Sequence, residues 1–171
     1  EATEEGVQKK LEHATPVSAG PPAKRVAGKA FTKTEIEQMV REYRYAPLLN
    51  INGNEKRAIR YLQRLLYTGD ELIRLRTAEI LGKTSAVIAR NNPGAISNLL
   101  QELFNALADT AASSWGAVDA AGEVICNSTG LFAGYIPKLY QFLEDDRLRP
   151  RVIRAIGLTA EVRPDLVRNA T

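Results

Sequence analysis

From residue 32 onward the apolar positions of this chain recur at helical spacing. Ile36, Met39, Val40 and Tyr43 fall at i, i+3, i+4 and i+7, the pattern of one buried helix face. Thr32 and Glu35 fit a capping box ahead of it, in which the Thr hydroxyl and the Glu carboxylate each meet a free backbone N–H. Pro47 is expected to end or bend this helix, and Asn52-Gly53 marks a turn. From Glu55 on, helices come in pairs. EKRAIRYLQRLLY sets Ile59, Leu62, Leu65 and Leu66 on one side; a Thr68-Gly69-Asp70 break then leads into ELIRLRTAEILGKTSAVIA. A break at Asn91-Asn92-Pro93-Gly94 precedes AISNLLQELFNALA, with Leu99, Leu103 and Leu107 at spacings of four. SSWGAVDAAGEVICNS, YIPKLYQFLEDD and LRPRVIRAIGLTAEV complete the series. No alternating strand pattern interrupts it, so the expected class is all-α.

Residues 1–30 break the pattern. HATPVSAGPPAKRVAGKA is rich in Ala, Gly and Pro and poor in apolar side chains, which predicts a flexible N-terminal arm with at most a short helix at EEGVQKKLEH. The folded domain is expected over 31–171.

The second helix of each pair aligns on a glycine. The segments are IRLRTAEILG (Ile73 to Gly82), SSWGAVDAAG (Ser113 to Gly122) and LRPRVIRAIG (Leu148 to Gly157). Such self-similarity indicates stacked helical hairpins, each leaving an apolar face for its neighbour to cover. The first and third segments, with Ile73-Arg74, Ala78, Leu81 and Gly82, and Leu148-Arg149, Ala155, Ile156 and Gly157, resemble HEAT repeats of the short bacterial phycobilisome-lyase type. Asp70 and Asp145 stand three residues before the aliphatic position, where that family carries an Asp. The resemblance covers about residues 55–168. It implies an α-solenoid of about three hairpins behind an N-terminal capping helix near 32–45. It further implies an Asp/Arg ladder, Asp70 with Arg74 and Asp145 with Arg149, tying one repeat to the next. The middle repeat departs from the pattern: Ser113 and Ser114 replace the aliphatic residue and the Arg, and Asp109 is displaced by one.

Candidate chemistry is sparse. The 23 basic and 20 acidic residues leave a net charge of +3, too mild to announce a polyanion-binding face. The one histidine, His13, lies in the arm, and one cysteine, Cys126, builds no disulfide framework and reads as a small buried residue. Without a His/Cys cluster an ordinary zinc site is excluded, and Glu144, Asp145 and Asp146 read as a solvated turn. No glycine-rich phosphate loop and no membrane-length apolar run occurs. The expectation is a non-enzymatic cytoplasmic protein with no cofactor and no metal.

What remains is a surface. Positions between the buried sites of the second helices are expected to point outward along one side: Arg76, Glu79 and Lys83 in the first, Trp115, Asp119 and Glu123 in the second, Arg151 and Arg154 in the third. Basic, then acidic with an aromatic, then basic, this stripe suits a protein or peptide segment. The sequence thus predicts a scaffold or adaptor whose partner-binding residues are Trp115, Arg76, Glu79, Asp119, Glu123, Arg151 and Arg154. HEAT-like DNA alkylation-repair proteins, with their basic concave surface, aromatics and catalytic Asp, supply the alternative, a nucleic-acid-binding protein. For Trp115 two readings stand. It packs inward over Gly116, Ala117, Ala120 and Ala121, or it stands at the surface near Arg76, Asp119 and Arg151 as an interface anchor.

Overall fold

The computed structural model describes residues 30–109 and 115–168; all of the arm but Ala30, and Ser113 and Ser114, lie outside them. Every regular element among the described residues is helical. In chain order these are α1 (Lys33–Glu42), α2 (Glu55–Leu65), α3 (Glu71–Ala89), α4 (Pro93–Ala108), α5 (Trp115–Asn127), α6 (Thr129–Phe132), α7 (Ile136–Tyr140), α8 (Arg149–Val162) and α9 (Pro164–Arg168). Turns of 3₁₀ helix span Ala46–Asn50, Ala133–Tyr135 and Gln141–Glu144.

Local chemistry explains most boundaries. The Thr32/Glu35 capping box starts α1. The helix stops four residues ahead of Pro47's 3₁₀ turn because Tyr43 adopts the left-handed conformation, φ 53°, and turns its N–H back to Met39 and Val40. Asp70 caps α3 by accepting the Ile73 N–H at 3.2 Å, and Asn92 caps α4 in the same way at 3.1 Å, ahead of Pro93. Gly53 takes the positive φ that the Asn52-Gly53 turn requires. The segment YIPKLYQFLEDD does not form one helix. Pro137, in the first turn of α7, lacks the N–H that would carry the preceding helix through, and α7 gives way after five residues to a 3₁₀ turn.

The helices α3, α5 and α8 lie side by side with α5 in the middle; α2 packs on α3, α4 on α5 and α7 on α8, while α1 closes against α2 and α3. Ile36 and Val40 of α1, Leu62 and Leu66, Ile80 and Leu81, Leu99, Leu103 and Leu107, Val118 and Ile125, and Val152 join one core. The register glycines explain how closely the middle layer packs. A Cβ on Gly82 would sit 2.8 Å from the backbone of Glu123 in α5, and one on Gly122 would sit 2.5 Å from the Ala155 Cβ in α8. At the start of α5, Gly116 lies against the Leu66 carbonyl, where no side chain fits. The small residues around Trp115 are therefore consumed by packing within the chain, because α5 is flanked by helices on both sides.

The Asp/Arg pairs do not form the expected ladder. Arg74 donates to the Thr68 carbonyl at 2.8 Å and Arg149 to the Leu143 carbonyl at 2.7 Å. Each bond reaches six residues back, so each arginine fastens its own helix to the turn before it. Asp145 does not cap α8; its two oxygens are taken by the Arg147 guanidinium, with the Arg147 amide at 2.9 Å. A tie across α3, α5 and α8 comes instead from Arg151 in α8, which reaches Asp119 of α5 at 2.6 Å and Glu71 of α3 at 3.2 Å.

Candidate partner-binding surface

Trp115 is the first residue of α5 and is 44% exposed, which settles its position at the surface. Two guanidiniums lie near its ring. Arg151 is 5.6 Å from the ring centre, as the outward reading expected, and Arg74 is 5.7 Å away. Both distances suit cation–π attraction. Beside the ring opens a notch of about 260 Å³ lined by Leu66, Tyr67, Thr68, Gly69, Arg74 and Trp115. The Arg74 Nε is buried there without a hydrogen-bond acceptor among the described residues.

Two expected neighbours are placed differently. Arg76 is not beside Trp115: its guanidinium lies 5.8 Å from the Tyr43 ring centre and donates to the Arg41 carbonyl at 2.6 Å, securing α1 to α3. Asp119 does not point outward. It is only 5% exposed, because α8 covers this face of α5 and Arg151 closes over the carboxylate. Burial pushes the Asp119 carboxyl up from its ordinary value, and the charges of Arg151 and Arg154 oppose the shift without cancelling it.

The rest of the stripe forms a mixed-charge strip along the same three helices. Glu79 accepts the Tyr43 hydroxyl, which raises the phenol above its ordinary value, and stands 3.9 Å from Lys83. Glu123 is half-buried, and no donor among the described residues bonds its carboxylate. Burial first, and the Glu79 charge second, push its carboxyl up. Arg154 is exposed. Tyr43 also lines a groove of about 780 Å³ between α1 and the first 3₁₀ turn, with Met39, Tyr45, Pro47 and Leu49 as apolar walls and Glu35 and Glu42 on the rim. Sequence reasoning missed the groove and the place of Arg74 at the Trp ring. The aromatic run Tyr43-Arg44-Tyr45 was the available signal for the groove.

The Cys126 thiol donates to the Leu158 carbonyl at 3.4 Å, and burial raises it above its ordinary value, which disfavours the thiolate that nucleophilic chemistry needs. No group of three or more His, Cys, Asp or Glu side chains among the described residues is placed to hold a metal. Comparison of the chain with protein-family models, with curated proteins and with solved structures finds no match.

Proposed function

We propose that the chain is a HEAT-like helical array that works as a non-enzymatic scaffold or adaptor in the cytoplasm, binding a segment of another protein across α3, α5 and α8. The observation that carries this reading is Trp115: a large aromatic, half-exposed at the edge of a notch and flanked by two arginines. Such a side chain offers broad apolar area, one N–H donor and neighbouring cations, the composition of an interface hot spot. The interleaved acids, Glu79 and Glu123 among Arg76, Lys83 and Arg154, favour a peptide of mixed charge over a polyanion. The HEAT reading is supported by the shared register of Gly82 and Gly122 at helix contacts and by the matching carbonyl bonds of Arg74 and Arg149. No helix among the described residues is long and apolar enough to cross a membrane.

The test is affinity capture from a lysate of the source cell with wild-type chain and Trp115→Ala in parallel, followed by titration of the recovered partner. Trp115→Ala is expected to weaken binding by about 2 kcal/mol or more while the variant keeps its fold. A partner bound equally well by both would place the interface elsewhere. A nucleic acid recovered instead, with affinity falling steeply as salt rises, would favour the nucleic-acid-binding alternative.

A further inference from the structure

The glycine register also marks a surface on the far side of α8 that adjoins the proposed partner site and shares only Arg154 with it. Gly82, Gly122 and Gly157 hold one position in the three middle-layer helices. The first two lie against the next helix, whereas among the described residues nothing outside its own helix backbone stands within 4 Å of where a Gly157 Cβ would be. The flanking positions tell the same story. Four residues before and three after the glycine stand Ala78 and Ser85 in α3, and Val118 and Ile125 in α5, all buried. Their counterparts in α8 are Ile153, 56% exposed, and Ala160, half-buried. The face of α8 that carries Ile153, Gly157 and Ala160 thus continues the series of helix-docking faces, one step beyond the last helix that covers one.

Charge indicates what fits there. Arg154 and Glu161 run along one edge of this face, two helical turns apart, and both are exposed. Neither makes an ion pair among the described residues. They stand at equal distances on either side of a point between Gly157 and Leu158, in the C-terminal half of α8. When two copies of such a helix cross antiparallel about a two-fold axis, Arg154 of each meets Glu161 of the other, and both pairs form on the same side. Ile153 then lies about 3 Å along the axis from Ala160 of the partner helix, within side-chain reach of it, and the backbones approach near Gly157. We propose that this face of α8 is a homodimer interface, pairing antiparallel with α8 of a second copy. A helix of 14 residues is about 21 Å long. One such helix pair buries less than the roughly 1,200 Å² of a stable specific interface. The dimer is therefore reversible and depends on concentration.

Sedimentation velocity of the full chain over a rising concentration series tests this. The expected result is a monomer that passes to a dimer as concentration rises. Ile153→Asp and Gly157→Leu, both at exposed positions and checked for unchanged circular dichroism, should each weaken the dimer at least tenfold. Arg154→Glu and Glu161→Arg should each weaken it by placing like charges opposite one another. Mixing the two variants in equal amounts should restore it, because the glutamate introduced on one chain then meets the arginine introduced on the other. Three results would overturn the proposal: a wild-type chain that stays monomeric at the highest concentration, a dimer indifferent to Ile153→Asp, or charge variants that weaken alone and are not rescued by mixing.

Discussion

Replacing Arg151 with Ala removes one side chain that touches three features: the Asp119 carboxylate, the Glu71 carboxylate and the Trp115 ring. These are unequal. Glu71 is 66% exposed, so its ion pair is screened by solvent and contributes under about 1 kcal/mol. The contact with a half-exposed Trp is worth about 0.5–1 kcal/mol. Asp119 decides the outcome, because it is left buried and charged with its hydrogen-bonding cation gone. Breaking a buried pair from one side costs about 3–5 kcal/mol. Protonation limits the loss. Bringing a carboxyl of ordinary value 3.8 to its neutral form at pH 7 costs about 1.4 kcal/mol per pH unit, so the Asp119 share cannot exceed about 4 kcal/mol. Arg151→Ala is therefore expected to lose about 3–5 kcal/mol at pH 7 by urea denaturation. The sign of the pH dependence follows. Without Arg151 the folded-state value of Asp119 rises further, and a raised carboxyl favours the folded state below its ordinary value and loses that contribution as pH rises through the folded value. The deficit of Arg151→Ala should accordingly shrink as pH falls toward 4, and Asp119→Asn combined with Arg151→Ala should recover much of it at pH 7. A loss under about 1 kcal/mol, flat from pH 4 to 7, would refute the reasoning and reduce Arg151 to a surface side chain.

The other expectations rest on separate features. Gly122→Ala should destabilise by about 1–3 kcal/mol through overpacking against Ala155, while Gly157→Ala, with open space around it, should raise stability by up to about 1 kcal/mol through helix propensity; thermal melts of both variants check the contrast. Glu123→Gln should raise the melting temperature at pH 7, where burial and Glu79 penalise the charge, and the gain should vanish below the ordinary glutamate value of 4.5. Arg74→Ala should cost about 1–3 kcal/mol, since its carbonyl bond is partly buried, and Arg149→Ala, half-exposed, under about 1 kcal/mol; equal losses by denaturant titration would contradict this ranking.

Helix identity was legible where a cap or break has a local cause: Thr32 with Glu35, Asp70, Asn92-Pro93 and Asn52-Gly53 act within four residues of where they stand. The glycine register was also legible, although its partners were not. Gly82 meets α5 about 40 residues on, and nothing in local spacing says which face of a helix that neighbour will cover. The same limit hid the burial of Asp119. On α5 almost every face is small or apolar, so periodicity could not separate an outward acid from one sealed by Arg151, 32 residues away. Trp115 was ambiguous for the same reason, and its place as the first residue of the helix decided for exposure. The early stop of α1 depends on Tyr43 in a left-handed conformation, which few non-glycine residues adopt and which sequence does not advertise.

The backbone-to-backbone approach at Gly82 and Gly122 has a consequence for cooperativity. In a linear series of helical units, the ratio of coupling between neighbours to each unit's own stability sets how many units melt together. Here α5 is too poor in large side chains to hold a hairpin by itself, and its burial depends on α3 and α8 at once. If the helices behave as such a series, coupling dominates here, so α3, α5 and α8 should unfold in one transition. A chain cut after α5 should then be unfolded.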